Sequence, residues 1–243
     1  MNSPPVSPRP AYRRLSVEER HGQLIATAQR LFATHLPEDV SLDDVARAAG
    51  VSRPLVYRYF PGGKQQLYEA ALGSAARDLE LCFVVPEEGP LSERLARALD
   101  RYLAFVDSHG EGFTALLKGG SVVETSRTSA IVDGVRRAAA GQVLIHMRVT
   151  APGPDLHMTL RTWITAVEAA SLIWLDEDKQ RAAEDLRDWL VDHFVALLMV
   201  TAGRDEETAR VLRAAARIEP GGGRVEALVG RTLAALSPPE EQD

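Results

Sequence analysis

Apolar positions recur every three or four residues along almost the whole chain, and no stretch alternates convincingly, so the pattern predicts helices throughout. The first helix opens at Ser16, where Ser16 and Glu19 form an S-x-x-E capping box, and its buried stripe is Leu24, Ile25, Ala28, Leu31 and Phe32. Pro37 ends it. A second helix opens at Ser41, with Asp44 three residues on, and turns Leu42, Val45, Ala46 and Ala49 inward. Gly50 stands where a helix end commonly needs a left-handed residue. Ser52 is then expected to cap a third helix carrying Pro54 in its first turn, which runs to about Phe60 before Pro61-Gly62-Gly63 breaks it.

Beyond residue 64 the periodicity predicts helices near 65–84, 91–107, 111–118, 127–148, 155–175, 180–201, 205–218 and 225–236. The breaks are Pro86 to Pro90, His109-Gly110, Gly119-Gly120, Pro152 to Pro154, Asp176 to Asp178, Gly203 and Gly221 to Gly223. The expected fold class is therefore all-α. Four parts are read: a flexible basic arm over 1–14, an N-terminal three-helix unit over 15–68, a larger helical body over 69–202, and a C-terminal helical extension over 203–243. Residues 156–175 and 182–199 carry the strongest stripes; in the second, Leu186, Leu190, Phe194, Leu197 and Leu198 repeat beside a polar face. Such a pair buries a full face only against other helices, either of the same chain or of a second copy. The extension either caps such an assembly or is an added surface helix pair.

Composition and charge narrow the function. Hydrophobic residues make up 45% of the chain, enough for a real core. No apolar run approaches the ~18 residues of a membrane span, and MNSPPVSPRPAYRR has no apolar signal region, so a cytoplasmic protein without membrane contact is expected. The single cysteine, Cys82, excludes an internal disulfide and a cysteine-based zinc site. The net charge of −6 is unevenly spread: residues 1–70 carry +2 and residues 71–243 carry −8. The basic end is thus the one suited to phosphate. Arg9, Arg13 and Arg14 among four prolines make the arm either inconsequential or a segment that touches phosphates or a minor groove. The six histidines fall at no metal spacing, and neither G-x-S-x-G nor a phosphate loop occurs. An enzyme is not expected, and no cofactor or metal is implied.

The most informative stretch is SLDDVARAAGVSRPLVYRYFPGGKQQLYEAAL, residues 41–72: two short helices joined by a tight glycine-containing turn, the helix-turn-helix pattern. Ala46 is small where the helices cross, Val51 fills the turn, and Val56 and Phe60 bury one face of the third helix. The opposite face presents Arg53, Pro54, Tyr57 and Arg58. Arginine pairs bidentately with guanine O6 and N7, and Pro54 offers an apolar surface to a thymine methyl. Hydroxyls such as those of Ser41, Ser52, Tyr57 and Tyr59 bond phosphate oxygens, and Lys64 can place a charge on the backbone. Packing within the small domain is the competing reading for Tyr57 and Tyr59, and a solvated face for Arg53 and Arg58.

This stretch resembles the DNA-binding domain of the TetR family of bacterial regulators. The likeness rests on A-x-x-A-G-V-S (Ala46 to Ser52), V-Y-R-Y-F (Val56 to Phe60), Lys64 and Leu67, and it covers roughly residues 15–70. The resemblance implies DNA contacts from Ser41, Arg53, Pro54, Tyr57, Tyr59 and Lys64, with Arg58 beside them. Two departures stand out: Tyr59 replaces a common histidine, and four positions rather than three separate Phe60 from Lys64, a difference that Gly62-Gly63 can absorb. The resemblance further implies a homodimer on pseudo-palindromic double-stranded DNA and repression relieved by a small-molecule effector held within residues 91–175. Candidate effector contacts there are Phe105, Phe113, Leu117, Ile145, His146, Trp163 and Glu168, each with plain core packing as its alternative. Glu168 is singled out as a charge in an apolar stretch, either on the helix surface or paired with Arg161. A regulator or DNA-organising protein without a small-molecule effector is the alternative function.

Overall fold

The computed structural model describes residues 15–118 and 125–236. The basic arm over 1–14 and the Gly119-Gly120 break lie outside the described residues. Among the described residues the chain forms eleven α-helices and no strand. They are α1 (Val17–Thr34), α2 (Leu42–Ala49), α3 (Arg53–Tyr59), α4 (Gly63–Cys82), α5 (Leu91–Ser108), α6 (Gly110–Lys118), α7 (Ser126–Met147), α8 (Pro154–Asp176), α9 (Ala183–Ala202), α10 (Glu206–Ala216) and α11 (Arg224–Leu236).

The N-terminal unit follows its local chemistry closely. The Ser16–Glu19 and Ser41–Asp44 capping boxes both form, satisfying donors that a helix start leaves free. Gly50 adopts φ 66°, and the Gly50 and Val51 N–H groups return to the carbonyls at the end of α2. Ser52 differs from expectation. It occupies the cap position of α3, but its hydroxyl makes no capping hydrogen bond. Leu24, Phe32, Val45, Val56, Phe60 and Leu67 form one core with smaller neighbours. The Phe32 and Tyr68 rings meet edge to face at 4.9 Å, joining α1 to α4.

A second core fills the body, built chiefly from α5, α8 and α9, with Leu103, Leu156, Leu160, Leu190 and Phe194 almost fully buried. The α4 helix runs unbroken across residue 69: Leu67, Tyr68 and Ala71 belong to the first core and Leu79 to the second. The start of α9 falls at Ala183 rather than 180, because Asp178 and Lys179 both take positive φ and extend the turn. Trp174 fixes that turn by donating its indole N–H to the Arg181 carbonyl at 2.8 Å.

The C-terminal extension is stapled to the body by carboxylates. Glu207, on α10, accepts from the Gly153 N–H at the start of α8 (2.7 Å). Glu219 accepts from both the N–H and the hydroxyl of Ser92 in the first turn of α5 (3.0 and 2.8 Å). Each places a negative charge at the positive end of a helix. Arg224 and Arg231 of α11 pair with Asp188 and Asp192 of α9.

The two units also meet through α6. A Cβ on Gly112 would lie 2.4 Å from the Phe32 carbonyl oxygen of α1, so only glycine allows this approach. Gly112→Ala should therefore push α6 off α1 and lower the unfolding free energy by about 1–3 kcal/mol, the usual cost of overpacking. Urea unfolding of the two proteins side by side checks this.

Candidate nucleic-acid interface and internal cavity

The α2–turn–α3 geometry leaves one face of α3 open. Val56 and Phe60 are buried, whereas Arg53, Pro54, Tyr57 and Arg58 are exposed. Arg53 is held in place: Nη1 donates to Asp43 at 3.1 Å and Nη2 to the Tyr57 hydroxyl at 3.4 Å, with the guanidinium 5.5 Å from the Tyr57 ring centre. Both Arg53 and Asp43 are about half exposed, so this pair is worth little in water and is easily exchanged for another acceptor. Arg58 makes no ion pair among the described residues.

The other expected contacts are distributed unevenly around this face. Ser41 is exposed, but its hydroxyl donates to Asp44 (2.5 Å) and accepts from the Asp44 N–H. These bonds from Ser41, with Arg47 adding to them, hold the Asp44 carboxyl below its ordinary pKa. The Ser52 hydroxyl, exposed and without a capping bond, keeps its donor free. Tyr59 is half-buried against the small core, with its ring 6.3 Å from that of His21, so packing accounts for the ring. Lys64 donates to the Glu38 carbonyl at 2.9 Å and thereby ties α4 to the α1–α2 loop. Gly63, just before Lys64, takes φ 70°, a backbone conformation that glycine adopts freely. Asp43 is the contributor that the sequence reading missed; its distance of ten residues from Arg53 gave no helical signal.

A cavity of about 170 Å³ lies between the two units. Its walls come from α1 (Phe32, Ala33), α4, α5, α6, α7 and α8, and they are overwhelmingly apolar. Phe105, Phe113, Leu117, His146, Trp163 and Glu168 all line it. Ile145 does not: it sits beside His146 on α7 but points outward and is half exposed, because one helical step of about 100° turns it off the inner face. The Trp163 indole N–H is satisfied by the Leu190 carbonyl at 3.0 Å.

Glu168 corrects a second expectation. Its partner is Arg136 of α7, not Arg161, with three hydrogen bonds of 2.8 to 3.1 Å; Arg161 is exposed. Periodicity placed Glu168 on the helix, but the partner came from another element. Arg94 and Tyr102, both buried on the inner stripe of α5, are further polar residues on the cavity wall that the sequence reading missed. The signal was present: Arg94 occupies a stripe position between Leu91 and Leu95. Burial raises the Tyr102 hydroxyl pKa strongly, and that hydroxyl has no well-formed hydrogen bond.

A family model described as "Bacterial regulatory proteins, tetR family" matches residues 24–71, and one described as "Tetracyclin repressor-like, C-terminal domain" matches residues 91–197. The crystal structure of a tetR-family transcriptional regulator from Streptomyces coelicolor is 47% identical with a TM-score of 0.86, covering 91% of this chain and 99% of that one. The chain belongs to the TetR family of DNA-binding transcriptional regulators. Among curated relatives, the HTH-type transcriptional regulator EthR of Mycolicibacterium smegmatis is 48% identical over 48 residues, 20% of this chain and 22% of that protein. The HTH-type transcriptional activator FasR of the same organism is 27% identical over 113 residues, 46% of this chain and 51% of that protein. The chain thus spans from about a fifth to about half the length of these curated relatives.

His146 provides a test of the cavity electrostatics. Burial first, then the nearby Arg94 charge, lowers its pKa from the ordinary value, with Glu87 opposing and Arg97 reinforcing. A depressed histidine pKa means the unfolded chain takes up the proton first as pH falls, so stability drops on acidification below about pH 6.5. His146→Asn should lose less stability than wild type between pH 7.5 and 5.5, as read from denaturant midpoints at both values.

Proposed function

We propose that the protein is a cytoplasmic, ligand-responsive repressor that binds a pseudo-palindromic operator as a homodimer and is released by a small, largely apolar effector. The observation that carries this reading is the cavity's position: its lining includes α1 and α4 of the DNA-binding unit as well as α5 to α8 of the body. A molecule filling it would press on both units at once, and through α1 and α4 on the seating of α3. Binding that favours one arrangement of the two units shifts the population toward it, and operator affinity follows. Repression is the simplest outcome, since occupancy that a ligand ends blocks transcription until the ligand arrives. Localisation rests on the DNA partner and on the fact that no described helix is long and apolar enough to cross a membrane.

In this reading Arg53 and Pro54, with Arg58, face base edges, while Ser41, Ser52, Tyr57, Tyr59 and Lys64 serve the phosphates. Mapping bound sites across the genome, followed by footprinting, tests it. Affinity for the recovered site should fall as salt rises, because phosphate contacts release counterions. Arg53→Ala should cost about 1–3 kcal/mol and relax the preference at one base position. Absence of any preferred duplex, or a salt-independent complex, overturns the reading.

Dimerisation is supported by the outer faces of α8 and α9. Met158, Ile173, Trp189, Met199 and Val200 are all at least 40% exposed, and the small Thr162, Thr165, Ala169 and Ala196 lie exposed between them. Two copies of this pair would form a four-helix bundle about a two-fold axis, which suits two half-sites on DNA. Ala169→Glu combined with Val200→Glu should convert the dimer to a species of 26.5 kDa in sedimentation while leaving the helical circular dichroism intact.

A further inference from the structure

The cavity wall holds two guanidinium groups in contrasting states. Arg136 is paired with Glu168 and Asp133. Arg94 is only 5% exposed, yet no carboxylate among the described residues lies within ion-pair distance of it. Its hydrogen bonds are two long ones to backbone carbonyls, from Nε to Pro90 at 3.4 Å and from Nη1 to His146 at 3.3 Å. The acids nearest this end are otherwise engaged or turned away. Glu219 is spent on Ser92, Glu93 faces Arg97, and Glu87 is exposed. The His146 ring sits beside Arg94, and both of its nitrogens are buried without a hydrogen-bond partner. Kept neutral by its surroundings, that ring still carries one N–H donor. A buried cation served only by carbonyls is costly unless an anion meets it.

Away from Arg94 and the Arg136–Glu168 pair the wall is mostly apolar. Along α5 the lining residues run from Arg94 through Leu95, Ala98 and Leu99 to Tyr102 and Phe105. Arg94 and Phe105 are eleven residues apart, about 16 Å along the helix axis. Phe32 of α1 and Gly112 of α6 also line the cavity.

We propose that the cavity takes an elongated organic monocarboxylate, its carboxylate on the Arg94 guanidinium and the His146 N–H, and its apolar body along α5 toward Phe105 and α1. This rests on the reading of the cavity as the effector site and names the chemical class of effector. It also supplies a counter-charge to a cation that the fold itself leaves without one among the described residues.

The test compares decanoate with decan-1-ol by calorimetry on the full chain without DNA. Hydrogen bonds to a charged group predict that decanoate binds wild type about 10–100-fold more tightly than the alcohol. In Arg94→Met the two should bind within about threefold of each other, and the variant without ligand should melt no lower than wild type. Arg94→Lys should retain part of the preference. Equal affinities in wild type, no binding of decanoate, or a preference undiminished in Arg94→Met would each overturn the proposal. The wild-type comparison stands even if the methionine variant fails to fold. Operator release is scored separately. Carboxylate preference without release upholds this inference and removes the effector reading; release by the alcohol with no carboxylate preference does the reverse.

Discussion

One continuous helix is buried at its two ends in different hydrophobic cores, and the organisation of the molecule depends on it. At one end of α4, Leu67, Tyr68 and Ala71 complete the small core that holds α3; at the other, Leu79 enters the body. A packed helix transmits displacement because close-packed interiors shift as units rather than deform smoothly. The cavity lies beside this shared helix, and the glycine contact between α6 and α1 adds a second rigid connection. The spacing of α3 from the body is therefore set by apolar packing rather than by a flexible linker.

Charge plays a different part at each end. On the open face of α3 the ion pairs are exposed and weak, as between Arg53 and Asp43, so they organise side chains at little cost and exchange readily for another acceptor. Inside the body the Arg136–Glu168 pair is largely withdrawn from water and joins α7 to α8 across the cavity wall. The same chemistry thus gives a replaceable contact on the surface and a fixed one within.

Much of this was legible in the sequence, for identifiable reasons. Capping boxes, a left-handed glycine and apolar stripes are local signals, and Ser16, Ser41, Gly50 and the helix spans of the body emerged from them. The face of α3 was readable because Val56 and Phe60 fix its rotation. What escaped depends on contacts between elements. Glu168 was visibly anomalous, yet its partner sits 32 residues away on α7, where no periodicity points. Ile145 and His146 are adjacent in sequence, and only the rotation of α7 separates wall from surface. Ser52 was read from its position as a cap, whereas the hydroxyl direction belongs to the turn. Arg94 drew no reading, because a single charge at a stripe position does not show by itself whether the fold buries it.

The staples from the extension carry a consequence for assembly. Ser92 and Glu219 are 127 residues apart, and Gly153 and Glu207 are 54 apart. A ribosome releases the chain from its N-terminus at about 5–20 residues per second, so α5 exists for several seconds before its capping carboxylate is made. The three-helix unit, whose caps and core all lie within the first 71 residues, has no such delay. Synthesis therefore separates the two halves in time: the DNA-binding unit has its own stabilising contacts early, while the body gains its later ones from Glu207, Glu219 and finally Arg224 and Arg231 as each emerges.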